Sequence, residues 1–299
     1  MEHINNNGYG YVDLGLPSGT LWSTCNVGAT KPNEPGLCFQ WGSIKGNEEI
    51  IDEPESKWKY YDSIKQIYTK YTIPNSSLCL KDDAANMLMQ GDWHIPSTNQ
   101  IQELFDNTIA KWTSMENVLG VIFISKKDKS KSIFMPLYNN KHVLYLWSSE
   151  TNSKCENLAN ILHINPIALN INVMGFPRSC QFPIRGVIDN ISKTSYKCNY
   201  DQRHIWKLEL DLVGILKNVP KGTKLWSSVI GDCIFIGMVD ETKKFDKEYP
   251  IKCAPFPLNG YDYWTFGSNG KFTKYSSAEC VLFPSKYNRN WATFKISKV

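Results

Sequence analysis

The sequence predicts an α+β protein, because two helical segments interrupt a series of short strands. The strand candidates are brief apolar runs, rich in β-branched and aromatic residues and bounded by Gly, Pro, Asn or charged residues. In the first part of the chain they include residues 36–42, 120–125, 131–137 and 142–149. A helix followed by several strands is typical of this class.

Three segments have helical character. Residues 80–89, "LKDDAANMLM", predict a first helix. In the second, residues 96–108, Ser97 and Gln100 fit a capping box. Apolar residues then repeat at helical spacing; they are Ile101, Leu104, Phe105 and Ile109. A third helix is expected in residues 207–220, where an apolar face ends at Pro-Lys-Gly.

The length of 299 residues allows one large or two ordinary domains, and the pattern favours two. Residues 1–189 form the first predicted domain, and the polar segment 190–206 reads as a linker. Residues 207–299 combine the third helix with five or six short strands, which favours a small antiparallel, SH3-like β-barrel.

Composition narrows the expected partners. The net charge is +4, and the dense basic stretch at 126–131 is interrupted by Asp128, which is typical of a solvated turn. We therefore expect no nucleic-acid partner.

No run is apolar enough to span a bilayer, and residues 1–7 lack the features of a secretory signal. The expected location is cytoplasmic when the chain is synthesised.

The nine cysteines do not indicate a metal site. None forms a C-x-x-C pair, and none has zinc-finger spacing with a histidine. An odd number cannot all pair within one chain. The expectation is free, buried thiols, with no metal and no cofactor.

Several motifs resemble the Fibrobacter succinogenes major paralogous domain family. They are "YVDLGLPSGTLWSTCNVGA", "PNEPGLCFQWGS", "DDAANMLMQGDWHIPSTNQIQELFDN", "SIFMPL", "YLWSSE" and "FPIRGV", spread over residues 9–188. His94 stands where that family usually has Arg, and Ser97 where it has Thr. The family is similar to C-type lectin-like folds, so the resemblance implies a C-type lectin-like N-terminal domain that supports a variable loop region. It also implies that the opening motif is core and turn, with Trp22, Trp41, Trp93 and Trp147 as core aromatics.

The second half resembles a different module. "LVGILKNVPKGTKLWSSVIGDCIFI" and "AECVLFPSKYNRNWATF", within residues 207–294, are similar to a module in proteins of gut Bacteroidota and their phages. The resemblance implies no activity. It favours a virion or prophage-encoded protein.

No catalytic constellation is visible, and we predict that the protein is not an enzyme. The five histidines lie in unrelated contexts, and no G-x-S-x-G, H-E-x-x-H or phosphate-binding loop occurs. We predict that His94 is a buried hydrogen-bonding residue in preference to a catalytic base.

Formylglycine-generating enzymes share the lectin-like fold and use cysteines, which would implicate Cys155 and Cys180, but nothing else of their pattern is present. The lectin tripeptides that bind calcium are absent.

The segment 150–181 is the predicted ligand-binding region. Its amide side chains offer donors and acceptors without charge, and an arginine and a phenylalanine add an anchor and a stacking surface. The predicted ligand-binding residues are Asn152, Asn157, Asn160, Asn165, Asn170, Asn172, Phe176 and Arg178. The alternative is an ordinary edge strand with outward-facing Asn side chains.

These observations predict a non-enzymatic recognition protein that binds a host-surface glycan or protein, with a phage or prophage virion as its setting. The alternative is a structural or assembly protein of a phage particle, whose partners are virion subunits. A homo-oligomer is compatible with either role.

Overall fold

The protein is mostly β-sheet, and the predicted α+β class is wrong. In the computed structural model, strands take up 40% and helices 12% of the described residues. Those residues are 3–4, 9–49, 53–138, 144–155, 157–190, 204–239, 248–256, 263–272 and 280–295. The predicted α+β class fails because the helical patterns are short: the three α-helices hold 6, 10 and 5 residues.

The strands and helices are numbered in chain order. The strands of the first half are β1 (His3–Ile4), β2 (Gly10–Asp13), β3 (Leu21–Asn26), β4 (Cys38–Gln40), β5 (Tyr61–Asp62), β6 (Ile67–Tyr68), β7 (Thr108–Met115), β8 (Val118–Ser125), β9 (Ser132–Pro136) and β10 (Leu144–Thr151). Those of the second half are β11 (Leu158–Asn165), β12 (Asn170–Pro177), β13 (Gln181–Pro183), β14 (Arg185–Ile188), β15 (Trp206–Lys207), β16 (Glu209–Leu210), β17 (Lys224–Ser227), β18 (Gly231–Met238), β19 (Ile251–Pro255), β20 (Trp264–Phe266) and β21 (Leu282–Phe283). The α-helices are α1 (Ala84–Met89), α2 (Thr98–Asn107) and α3 (Leu212–Leu216).

The chain divides into two compact units. Unit 1 comprises residues 1–110, 122–165 and 170–207, and unit 2 comprises residues 111–121, 166–169 and 208–299. Unit 2 thus includes two short segments that the sequence assigns to the first domain. Most of the predicted linker, residues 191–203, lies outside the described residues.

Unit 1 contains two four-stranded sheets. One has the order β1-β2-β3-β14, and the other has the order β10-β11-β12-β15. Arg185 in β14 stabilises the first sheet from within, because its buried guanidinium donates to Asn26 Oδ1 at 2.9 Å, Ser23 O at 3.0 Å and Phe134 O at 2.8 Å. A buried charge needs this full set of acceptors to be tolerated.

The opening motif is core and turn, as predicted. It forms the hairpin of β2 and β3, and Gly19, with φ of 74°, closes the turn between them. The four predicted core tryptophans, Trp22, Trp41, Trp93 and Trp147, are each at most 1% exposed. Two of them also use their indole N–H: Trp41 donates to Ser148 O at 2.8 Å and Trp147 to Phe39 O at 2.7 Å.

The capping box predicted for the second helix is confirmed. Ser97 Oγ accepts from Gln100 N, and Gln100 Oε1 accepts from Ser97 N at 2.8 Å. Helix α2 buries Leu104 and Phe105. Ile109, expected on the same face, lies instead in strand β7, because the helix ends at Asn107.

The predicted C-terminal helix is mostly wrong. Of residues 207–220, helix α3 takes only Leu212–Leu216. The preceding residues are extended because β16 pairs in parallel with Lys111 and Trp112 of β7. Asp211 then caps α3: its Oδ1 accepts from Gly214 N at 3.2 Å. Tertiary pairing has overridden a helical pattern.

Five strands follow residue 222 in the described part of the chain, and there they do not close into the predicted SH3-like barrel. They make a five-stranded antiparallel half-barrel in the order β20-β19-β18-β17-β21. Asn269 lies in a turn after β20, and Gly270 next to it has a φ of 74°. Lys271 and Phe272, which follow this turn, are not in a strand.

A buried carboxylate, Asp82, organises one side of unit 1. Its Oδ1 accepts from Lys59 Nζ at 2.8 Å and Tyr60 OH at 2.7 Å, and its Oδ2 accepts from Tyr71 OH at 2.6 Å and from Lys70 Nζ. Burial raises the pKa of this carboxyl, whereas the hydrogen bonds from the two lysines and two tyrosines lower the pKa by a larger amount. The net pKa is well below the ordinary 3.8.

Asp82→Asn is expected to lower the free energy of unfolding by about 2–3 kcal/mol at pH 7, because both lysines are partly exposed and regain some hydration. The measurement is urea unfolding of the full chain. The depressed pKa means that the contribution of Asp82 is complete above a pH of about 4 and shrinks in more acidic solution. Wild type and variant should therefore converge as the pH falls below 4.

Asp62→Asn is the matched control. Asp62 pairs with the exposed Lys65 at 3.9 Å, so its loss should cost less than about 0.5 kcal/mol. Equal effects of the two substitutions would contradict a structural role for Asp82.

Candidate functional site

Unit 1 contains a cleft of about 730 Å³. This volume is in the range typical of small-molecule sites. Its walls come from the turn before β3, the segment around α1, the start of α2 and the chain after β14. The lining residues are Ser18, Thr20, Ser77, Leu78, Leu80, Asp83, Asn86, Gly91, Asp92, Trp93, His94, Ile95, Ser97, Asn99, Gln100, Ser149, Asp189 and Asn190.

Two side chains near α1 hold the turn at residues 91–95 that forms the floor. Asp83 caps the helix through Asn86 N at 3.0 Å, and its other oxygen accepts from Ile95 N at 2.8 Å. Asn86 Nδ2 donates to Trp93 O at 2.9 Å. Burial raises the pKa of Asp83, although these backbone hydrogen bonds oppose it. The backbone of the floor is therefore fixed by buried polar contacts.

His94 is held in place from three directions. Its backbone forms an antiparallel bridge with Val187, at 3.0 and 2.9 Å. Its Nδ1 donates to Ile95 O at 3.0 Å, and its Nε2 lies 3.3 Å from Asp189 Oδ1. Burial lowers the pKa of His94, but the contacts with Asp189 and Ile95 and the charge of Asp83 raise it, and the net pKa is above its ordinary value.

Asp189 links the imidazole to helix α2. Its Oδ1 also accepts from Gln100 Nε2 at 2.6 Å, and Gln100 is the capping-box residue. The hydrogen bond with His94 lowers the pKa of Asp189. The pair therefore favours an imidazolium beside a carboxylate.

The network continues from α2 to the opening motif. Gln100 Nε2 lies 3.4 Å from Thr20 Oγ1, which is 2.7 Å from Ser18 Oγ. Ser18 donates through both its backbone N and its Oγ to the buried Glu103, at 2.7 and 2.6 Å. The "PSGT" turn, the "DWHIPS" turn and the start of α2 thus form one polar wall.

The lining is polar and short of positive charge. Five hydroxyls and four amides face or border the cleft, with three carboxylates and one histidine, and no Lys or Arg is among the described lining residues. Such a surface offers many neutral donors and acceptors. It is unfavourable for phosphate or other anionic ligands, which need cationic partners.

The imidazole nitrogens of His94 are engaged by the protein itself. Both nitrogens of His94 face protein groups, Ile95 O and Asp189 Oδ1. Among the hydrogen bonds of the described residues, no Ser or Thr hydroxyl reaches either nitrogen, as an activated nucleophile would require. His94 is a hydrogen-bonding residue, as predicted, but its side chain is only partly buried, with 23% exposed.

Two of the predicted ligand-binding residues are internal. Asn152 and Asn160 are 6% and 2% exposed. Asn152 Nδ2 donates to Asn160 Oδ1 at 2.8 Å, and Asn160 Nδ2 donates to Thr98 Oγ1 at 3.1 Å and Thr151 O at 3.3 Å. They connect β10 and β11 to the start of α2.

Arg178 and Phe176 also pack inside unit 1. Arg178 is 1% exposed, its guanidinium lies about 5 Å from the Trp41, Trp58 and Tyr68 rings, and Nη2 donates to Tyr71 O at 2.8 Å. Phe176 packs on Tyr145 and Phe182, with ring centroids 5.5 and 5.2 Å apart. Arg178 is therefore no surface anchor.

The other four predicted residues are spread along the β11–β12 hairpin. Asn165 and Asn170 pair at one end, and the exposed Asn157 precedes β11 at the other. Eight residues of strand separate them, roughly 26 Å. Asn172 Oδ1 contacts His163 Nδ1 at 2.6 Å between them. The structure does not bring the eight predicted residues together.

The sequence reading missed most of the cleft. Ser18, Thr20 and Gln100 lie in motifs that were interpreted as structural signatures, and Asp189 follows the last of those motifs. These residues come from a turn, a helix start and a strand end, and 80 residues separate Thr20 from Gln100. Local spacing does not reveal such a grouping.

Comparisons with known proteins add no neighbour: no family model, curated protein or solved structure matches this chain. The family resemblance therefore stays a prediction.

Within the described ranges, no helix has the length and apolar character to span a membrane. The same residues contain no group of three His, Cys, Asp or Glu side chains placed to hold a metal. Eight of the nine cysteines are described, and no disulfide joins any two of them; three are buried and five are partly exposed, and Cys198 lies outside those ranges.

The raised pKa of His94 makes stability depend on pH. The folded state holds the imidazole proton more tightly than the unfolded chain, so this contribution is complete below a pH of about 6.5 and is lost as the pH rises through the folded-state pKa. Wild type should therefore lose free energy of unfolding above pH 6.5 relative to His94→Gln, as followed by urea unfolding.

Asp189→Asn provides the control, because it removes the carboxylate that raises the pKa and should flatten the same pH profile. A His94→Gln profile parallel to that of wild type between pH 6 and 9 would show that the imidazole and Asp189 are not coupled.

Proposed function

We propose that this chain is a non-enzymatic recognition protein whose binding site is the cleft of unit 1. The observation that carries the proposal is the wall of hydroxyl and amide groups around a fixed imidazole. Binding sites whose groups are held by internal hydrogen bonds lose little entropy when a ligand arrives.

The ligand class that fits best is a neutral, hydroxyl-rich molecule, such as a short segment of a glycan. The lining has hydroxyl and amide donors and acceptors, and its charged groups are three carboxylates and His94. Carboxylates accept hydrogen bonds from sugar hydroxyls and repel anionic ligands. The volume of about 730 Å³ leaves space for more than one sugar ring.

The setting that we propose is a phage or prophage particle that contacts the host surface. The support is the resemblance of residues 207–294 to a module of gut Bacteroidota and their phages. The geometry of the cleft fits a host-surface glycan, and the proposal that it binds a glycan does not depend on the phage setting.

The experiment is a glycan array probed with labelled full-length protein, followed by affinity measurement for the best glycan. The cleft variant is Ser77→Ala/Asp92→Asn/Asn99→Ala, three exposed lining residues. Loss of two hydrogen-bonding groups and of one charged acceptor should weaken binding by about tenfold or more. The matched control is the hairpin variant Asn157→Ala/Asn165→Ala/Asn170→Ala, which should bind as wild type does.

The opposite pattern, with the hairpin variant impaired and the cleft variant intact, would place the site on the predicted segment 150–181 and contradict the cleft. If the folded protein binds no glycan, the assembly role gains support. That role already has one observation in its favour: Leu80, Met87 and Leu88 are 64%, 44% and 40% exposed, as in a protein contact surface.

A further inference from the structure

The half-barrel of unit 2 has an outward face with an unusual composition. Buried residues alternate with exposed ones along its strands: Leu225 and Ser227 of β17 are buried, whereas Lys224 is exposed and Trp226 is half-buried. In β18, Cys233 and Phe235 are buried. Alternation of this kind means that one face packs inward and the other meets solvent.

The strand register shows which outward residues are neighbours. Trp226 pairs with Phe283 of β21, and Lys252 of β19 lies between the buried Ile251 and Cys253. Directly paired residues share a face of a sheet. We call this surface the aromatic face, and it comprises Lys224, Trp226, Lys252, Phe256, Tyr263 and Arg289.

The aromatic face consists of three cation–aromatic pairs. The Arg289 guanidinium lies 5.0 Å from the Trp226 ring centre. Lys224 Nζ lies 5.2 Å from the Phe256 ring centre, and Lys252 Nζ lies 4.6 Å from that of Tyr263. Phe256 and Tyr263 are 48% and 49% exposed, so their rings are available to a partner.

The charge of the chain is concentrated in the same unit. Residues 208–299 hold 13 Lys and Arg against 9 Asp and Glu, whereas residues 1–207 hold 20 of each. The whole net charge of +4 thus lies in the C-terminal stretch. On the face itself, Asp232 is the acidic neighbour, paired with Trp226. The face is therefore suited to an anionic partner.

We propose that the aromatic face binds single-stranded nucleic acid. Bases stack on exposed aromatic rings, and phosphates contact cations beside them; this combination is the usual basis of sequence-tolerant single-strand binding. A duplex hides the faces of its bases, so it would use the cations but not the rings. A sulfated polysaccharide would likewise depend on the cations alone.

A search of the sequence for runs of basic residues does not find this surface, because its cations lie 28 and 37 residues apart along the chain. The sheet brings them together. The expectation of no nucleic-acid partner rested on the basic stretch at 126–131, which is not part of unit 2.

The test is fluorescence anisotropy of a labelled 20-nucleotide oligothymidine with the full-length protein, at several salt concentrations. Three phosphate contacts predict a slope of log affinity against log salt of about −2. Phe256→Ala/Tyr263→Ala should weaken binding at least about fivefold, and Lys224→Gln should reduce the slope by about 0.7. The control is Lys217→Gln, which removes an equal charge at the end of α3, outside the sheet, and should leave the slope unchanged.

A 20-base-pair duplex and heparin are measured in parallel. Tighter binding of the single strand, lost with the two rings, supports the proposal. The proposal is overturned if oligothymidine does not bind, if the ring variant binds it as wild type does, or if duplex or heparin binds as tightly with the same sensitivity to Phe256 and Tyr263. Equal effects of the Lys224 and Lys217 substitutions would also overturn it.

Discussion

A single chain of hydrogen bonds determines the shape of the cleft, and it passes through Gln100. This residue caps helix α2 through Ser97, donates to Asp189 beside His94, and approaches the hydroxyl of Thr20. Glu103 is buried and Gln100 is partly buried, and such polar groups are costly when unpaired, so their contacts constrain the segments that they join. The positions of three separate segments follow from it: the turn before β3, the turn at His94 and the end of β14.

That network also accounts for the chemistry that the cleft offers. His94 and Asp189 form one ion pair, and Asp83 and Asp92 remain as carboxylates among the neutral hydroxyl and amide groups. Such a surface disfavours anions and suits a neutral ligand with many hydroxyls, and its internal hydrogen bonds favour recognition. Unit 2 has a different character, since its aromatic face combines exposed rings with three cations and one acidic neighbour, Asp232. The two surfaces therefore favour different partners.

The sequence predicts local structure here better than it predicts assembly. The Ser97–Gln100 capping box, the buried tryptophans and most strands could be found because their signals lie within a few residues. The third helix could not, because its first half pairs with Lys111 and Trp112, nearly 100 residues earlier. The Asn-rich segment misled for a related reason: amides such as Asn160 look alike whether they face a ligand or fill a buried network. Only the burial of each amide side chain in the structure distinguishes these two roles.

The most direct test of the cleft is to observe the histidine side chains while the ligand binds. His94 lies in the cleft wall, and His163 contacts Asn172 on the predicted hairpin surface, so the two imidazoles report on the competing sites. The measurement is NMR of ring-labelled histidines in the full chain, titrated with the best-binding glycan. We predict that the His94 resonances shift in proportion to saturation while those of His163 stay unchanged. Saturable binding that shifts His163 and leaves His94 unmoved would contradict the account.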